Sequence, residues 1–375
     1  MNGAGLLRRR FGKRKVIELS CKIVTPMFLG DASQDAALRP EPFKGLLRYW
    51  WRVAAGTHYK KHDDLLDAEN NIFGGAGGGR DWGKSLISLN VEGNPKKDNT
   101  LPAIREVSHR EVGRNGRNIR SLLLYLGYGP ILCQKGQVRC VRSYLAPDEK
   151  FTLKLSVPEG ILSDNNEVEG ELLKRAIYYL MAFGAAGSRS RNGWGSFQVE
   201  NFGSIKNLVS SQEISPIPVG DTLFSKDYPY CLGASEKGLV LWRTKRGYNS
   251  WSEAMKEMAQ IYIDLRTQFS ADGSHDVGER HLLGFPITNH LAKGAPNWGR
   301  RSRHASPLRI FFRIKEGRYY GFILHLPFGI SNRMRQNAAG KVFFSEKVQF
   351  QVWEKVYQIL DDNNQLVRVG INDCF

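Results

Sequence analysis

Between a helix-like and a strand-like stretch lies Gly184-Ala185-Ala186-Gly187-Ser188-Arg189-Ser190-Arg191-Asn192-Gly193-Trp194-Gly195, with four glycines, two arginines and two serines. Glycine lets backbone N–H groups approach a phosphate closely, arginine adds charge, and hydroxyls add donors. Gly187, Ser188, Arg189, Ser190, Arg191 and Asn192 are therefore expected to clamp a polyanion backbone. The bland alternative is a flexible surface loop.

A second segment, Leu38 to Arg52, opens with Arg39-Pro40-Glu41-Pro42. At 100° per residue, Lys44, Arg48 and Arg52 fall on one helical face, a basic stripe suited to successive phosphates. Trp50 points inward on this wheel, and Trp51 lies at the stripe's edge, where it could meet a base or a partner. The alternative is a solvated amphipathic face. A third segment joins Gly284-Phe285-Pro286-Ile287 to Arg300-Arg301-Ser302-Arg303-His304-Ala305-Ser306-Pro307-Leu308. Arg300, Arg301 and Arg303 would there form an anion site or merely a basic turn.

Other chemistry is weaker. Gly78-Gly79-Arg80-Asp81-Trp82-Gly83-Lys84-Ser85 fits the phosphate-loop pattern literally. A working loop of that kind follows a buried strand and opens a helix, whereas a strand-like alternation follows here. Asp31 and Asp35 could act on RNA as carboxylates but read first as turn or cap residues. His58 and His62 are four apart beside Lys60 and Lys61, a poor place for a metal cation. The five cysteines, Cys21, Cys133, Cys140, Cys231 and Cys374, include no C-x-x-C pair. No zinc site, disulfide framework or cofactor is expected, and a reducing cytoplasm fits best.

The whole chain shares this charge bias. Its 54 Lys and Arg exceed its 37 Asp and Glu, a net +17 over 375 residues. That excess predicts an acidic partner, with nucleic acid ahead of an anionic membrane. No apolar run approaches the roughly eighteen residues of a spanning helix. Arg8, Arg9, Arg10, Lys13, Arg14 and Lys15 open the chain without an apolar segment behind them, so they read as a basic tail.

Two α+β halves must position these groups. In the first, Val16–Thr25 alternates as a strand and a helix begins at Pro42. Lys84–Val91 and Phe151–Val157 read as strands, Glu171–Phe183 as a helix and Trp194–Val199 as a closing strand. The second half repeats β-α-β-β-α-β. Lys237–Arg243 is its first strand and Trp251–Phe269 its first helix. Arg309–Ile314 and Tyr319–Leu326 form a hairpin through Glu316-Gly317, a helix capped by Ser345 runs to Leu360, and Gln365–Ile371 is the last strand. Such strings predict two tandem ferredoxin-like, RRM-like domains, 1–209 and 220–375, joined near Ser210–Val219. An insertion at about 94–150 in the first carries Arg105, Arg110, Arg114, Arg117 and Arg120.

These residues resemble a known family. Thr25-Pro26-Met27-Phe28-Leu29-Gly30 and the Leu38 to Arg52 segment are similar to the N-terminal signature of the first-subunit family of the Cmr complex, the type III-B CRISPR RNA-silencing effector, within the RAMP superfamily. The Gly184 to Gly195 loop resembles the glycine-rich loop late in a RAMP domain. Tyr125 to Gly129 and Arg301 to Leu308 add to the likeness, and Gly78 to Ser85 is outside it. The resemblance implies two packed RAMP domains near the 3′ end of a guide RNA, beside target RNA and other RAMP subunits. It implies a non-catalytic role in antiviral defence, because target cleavage in the family belongs to the backbone subunits, through an aspartate in the loop after the first strand. Asp31 lies in the comparable region. The rival readings are an endoribonuclease using Asp31 or His58 and, further off, a nucleotide hydrolase at Gly78 to Ser85.

Overall fold

The computed structural model describes residues 12–75, 83–102, 121–162, 167–203, 205, 216–220, 231–269, 278–285, 303–335 and 344–375. The first half begins with β1 (Arg14–Ile23), in which Ile17, Leu19, Cys21 and Ile23 alternate inward. Next come α1 (Pro40–Ala55), α2 (His62–Phe73) and β2 (Ser88–Glu92). Helix α1 starts before the expected Pro42. Arg39 is extended, as a residue before proline must be, so Pro40 takes the first helical position. A stretch with α3 (Leu122–Gly127) and the hairpin β3 (Ile131–Gln134) and β4 (Gln137–Cys140) leads to β5 (Lys150–Pro158). Helix α4 (Glu167–Phe183) and β6 (Phe197–Val199) complete the half. The sheet order is β2-β5-β1-β6, every neighbour antiparallel.

The second half holds β7 (Leu241–Thr244), α5 (Trp251–Thr267), β8 (Leu308–Lys315), β9 (Arg318–His325), α6 (Glu346–Asp361) and β10 (Leu366–Arg368). Its order, β8-β9-β7-β10, repeats that of the first sheet, again antiparallel throughout. Ser345 caps α6 by accepting from Val348 N at 3.2 Å. Glu316 and Gly317 both have positive φ, the geometry of a two-residue hairpin turn. Ile217–Pro218, at the end of the expected linker, pairs in parallel with Gly233–Ser235.

The halves interlock. Strand β8 is buried on both faces. Ile310 and Phe312 join Met258 of α5 and Val352 and Trp353 of α6 in one core, while Phe311 joins the first half's core. The Phe311 ring stands 5.7 Å from Phe183 of α4. Buried Arg313 donates to Ala182 O at 2.6 Å and Met181 O at 3.2 Å, meeting carbonyls at the end of α4. Helices α1 and α4 are thus covered by the first sheet on one side and the second on the other.

Candidate nucleic-acid interface

The glycine-rich loop runs from α4 to β6, and its glycines are used for close packing. A β-carbon on Gly187 (φ +93°) would lie 2.6 Å from Phe28 O, and one on Gly193 (φ +90°) 2.3 Å from the Phe312 ring. Ser188 N donates to Phe28 O at 2.9 Å, and Thr25 Oγ1 to Gly193 O at 2.7 Å. Asn192 Nδ2 donates to Leu126 O at 2.9 Å, fixing the end of α3. Gly187 and Asn192 thus hold the loop against the two halves. Ser188 to Arg191 are what it presents outward. Asn192 N donates to Arg189 O at 2.8 Å across a tight turn that puts Arg189 in the left-handed region, exposed to solvent.

Beneath this turn lies a cleft of about 500 Å³. The loop forms one wall, Arg39 just before α1 and Pro42, Leu46 and Tyr49 on it form another, and Arg142 and Arg309 come from elsewhere; among the described residues no Asp or Glu lines it. Arg309 is only 6% exposed. Its guanidinium lies 4.9 Å from the Tyr49 ring centre and 5.1 Å from Trp50. Burial, and then the charge of Arg191, push its pKa down, while Tyr49 pulls it up. Arg191 donates to Ser306 O at 3.2 Å and lies 6.0 Å from Tyr49. The loop and the start of β8, 115 residues apart at that contact, therefore share one site.

The stripe on α1 stands differently. Pro42, Leu46 and Tyr49 face the cleft, while Arg48 and Arg52 face α2. Both guanidiniums bond to buried Glu69: Arg48 through Nε, and Arg52 through Nη2 at 2.7 Å. Arg48 also donates to Asn70 Oδ1 at 2.7 Å. Of the stripe's three cations, Arg48 and Arg52 thus also supply the counter-charges that a buried carboxylate needs. Lys44, half-buried, has its pKa lowered by burial first and by Arg48 second. Trp51 is fully buried like Trp50, so its proposed contact with a base is withdrawn.

In the third segment Arg303 is exposed, and Arg300 and Arg301 lie outside the described residues. Buried His304 pairs with Phe285 backbone to backbone and sets its Nε2 3.1 Å from Leu282 O. Burial pulls its pKa down to about 4. Arg8 to Arg10 and the Arg105 to Arg120 cluster also lie outside the described residues. Arg14 ties strands together, donating to Leu86 O and Ser156 Oγ.

An RRM binds RNA on its open sheet face through aromatic side chains. The register here puts Glu18, Lys154 and Asn90 in one row of that face and Ser20, Thr152 and Glu92 in the next. No aromatic stands in those rows, and Lys154 pairs with Glu92 at 2.8 Å and Glu18 at 3.6 Å. The cleft, by contrast, gathers four arginines with no Asp or Glu among the described residues lining it.

The Asp31 carboxylate accepts from Ser33 N at 2.8 Å and Asp35 N at 3.2 Å, closing its own turn. Asp35 pairs with Lys97 at 2.6 Å. His58 is exposed and stands edge-on to Tyr59. Helix α2 precedes Gly78 to Ser85 and β2 follows it, the reverse of a phosphate-loop frame; residues 76–82 lie outside the described ones. Among the described residues no cluster of three metal-ligating side chains occurs, and no helix is long and apolar enough to cross a membrane.

A family model of the RAMP superfamily matches residues 20–198, from β1 through the glycine-rich loop to β6. That match takes in just under half of the chain. The CRISPR system Cmr subunit Cmr1-1 of Pyrococcus furiosus is 26% identical over 165 residues, 43% of this chain and 40% of the relative. The match spans about two-fifths of that relative's length. A chain in the structure of the type III-B Cmr-beta complex bound to cognate target RNA and AMPPnP superposes with a TM-score of 0.50 at 12% identity, covering 92% of this chain and all of the other. The apo crystal structure of Pyrococcus furiosus Cmr1 gives 0.45 at 16% identity, covering 84% of this chain and 89% of that one. The RAMP region supplies Arg39, Arg142, Arg191 and Tyr49 to the cleft, and Arg309 comes from beyond it.

Tyr49, Arg142 and Arg309 escaped the sequence reading. For Arg309 a signal existed: Leu308–Lys315 is an apolar strand with Arg309 and Arg313 on one face, and a buried strand face rarely carries a cation without a task.

Proposed function

We propose that the chain is a non-catalytic RNA-binding subunit of the type III-B CRISPR (Cmr) ribonucleoprotein, built from two tandem ferredoxin-like RAMP domains over 1–209 and 220–375. It would contact guide RNA toward its 3′ end, target RNA, or both, beside other RAMP subunits in the cytoplasm, in antiviral defence. One observation carries the reading: Arg39, Arg142, Arg191 and Arg309 surround a single cleft that no carboxylate among the described residues lines. Cations gathered without counter-charge repel one another, and a polyanion relieves that repulsion. The repeated strand order of the two sheets supports the tandem arrangement, and the likeness to Cmr1 supports the assembly.

The test is fluorescence anisotropy of labelled single-stranded RNA at several salt concentrations, with Arg39→Ala and Arg191→Ala. Each variant is expected to bind more weakly whatever the sequence, and its salt slope to fall by about one. Unchanged affinity and slope in both would overturn the assignment. Loss of labelled-RNA cleavage in Asp31→Ala or His58→Ala would instead favour a nuclease.

A further inference from the structure

Two arginines project from the same face of β8 toward the first half, and their surroundings differ. Arg313 is enclosed, with its donors on the carbonyls of Phe312, Met181 and Ala182. Arg309 is almost as buried, yet it lines the cleft, where the described groups around its guanidinium are the Tyr49 hydroxyl, two aromatic faces and Arg191. A guanidinium carries five N–H donors in a planar fork, so Arg309 keeps donors for an anion in the cleft. Arg191 brings a second guanidinium to the Tyr49 ring. Two such groups held together in a site without carboxylates are matched by a phosphate, which accepts from both. Above them Pro42 and Leu46 leave an apolar, half-exposed wall. At about 500 Å³ the cleft has room for a group the size of a nucleotide.

We infer that the cleft floor is a site for one unstacked nucleotide of single-stranded RNA, its phosphate held by Arg309 and Arg191 and its base against Pro42 and Leu46. The inference rests on the RNA-binding reading above and adds to it one desolvated contact, distinct from the screened contacts of exposed Arg189. Arginine at position 309 is required for its fork as well as its charge.

The test compares the full-length protein with Arg309→Lys, Arg309→Met and Arg189→Ala in the same RNA titration. Arg309→Lys is expected to weaken binding about tenfold while keeping the salt slope, because charge remains and the fork is lost. Arg309→Met should weaken it further and lower the slope by about one. Normal binding by Arg309→Met, with Arg191→Ala weakened, would overturn the site and leave the RNA reading standing. No RNA binding by the unaltered protein would remove both. Since Arg309→Met could fail to fold, RNA carrying 4-thiouridine is also crosslinked to the unaltered protein. Adducts within Pro42–Tyr49 or Ala185–Arg191 support the site, and adducts only elsewhere overturn it. A poly-glutamate peptide that binds as tightly, with the same dependence on Arg309, would overturn the nucleotide assignment in favour of an acidic protein segment.

Discussion

The Ser196 hydroxyl accepts a hydrogen bond from the backbone amide of Phe312 at 3.1 Å, joining the end of the glycine-rich loop to the edge of the second sheet. Beyond Leu308, whose N–H donates to Ser306 Oγ, strand β8 has three N–H groups on the side away from β9, at Ile310, Phe312 and Ile314. All three are met from the first half, by Arg191 O, Ser196 Oγ and Gln198 Oε1. An edge strand that would otherwise expose its ladder is thereby closed. Ser196→Ala removes an acceptor inside a dry interface, and also the donor to Gly193 O. The expected loss is about 1–3 kcal/mol, measured by chemical denaturation.

Gly193 and Gly45 answer to opposite rules. Gly193→Ala needs a left-handed backbone and drives a β-carbon into the Phe312 ring, so it should cost at least about 2 kcal/mol. Gly45 lies inside α1 with open space within 4 Å of where a β-carbon would sit, and Gly45→Ala should stabilise the fold by about 0.5–1 kcal/mol. Thermal melts of both variants decide the matter, and a shift of the same sign in each would contradict the account.

Glu69 holds two guanidiniums together. Glu69→Ala leaves Arg48 and Arg52 facing each other without a counter-charge, whereas Arg52→Ala still leaves Glu69 its bond to Arg48. The first variant should lose about 1.5–3 kcal/mol and the second clearly less, the arginines being partly exposed and screened. Urea titrations of the two variants give the comparison.

His304 sets an acid limit. Its native pKa is about 4 against an ordinary 6.5, because burial penalises the charged ring and Arg191 adds to that penalty. The unfolded chain therefore binds more protons between those values. Stability is full above pH 6.5 and falls as the pH drops toward 4, by about 3 kcal/mol from this residue. His304→Gln, which keeps a donor for Leu282 O, should flatten the fall in melting temperature across that window. Buried His325, pulled to about 3 by burial, acts in the same direction.

Alternation and helical spacing alone were enough to read the main strands and helices, because one-sided burial imprints a period of two or 3.6 residues on the chain. Trp50 inward, the Ser345 cap, the Glu316-Gly317 turn and the weakness of Gly78 to Ser85 were all legible for that local reason. Residue types also located the loop and Arg39. What spacing along one helix could not reveal was the neighbour each cation meets. Glu69 lies 17 residues beyond Arg52 and takes it and Arg48 out of the free charge, and Trp51 is buried against Phe73 of α2. Arg309 and Tyr49, 260 positions apart, become one site only because the second sheet lies across α1. The sequence by itself determined how much positive charge there is and which segments carry it. The tertiary structure decided which arginines are neutralised, since pairing and burial depend on long-range contacts that no local period records.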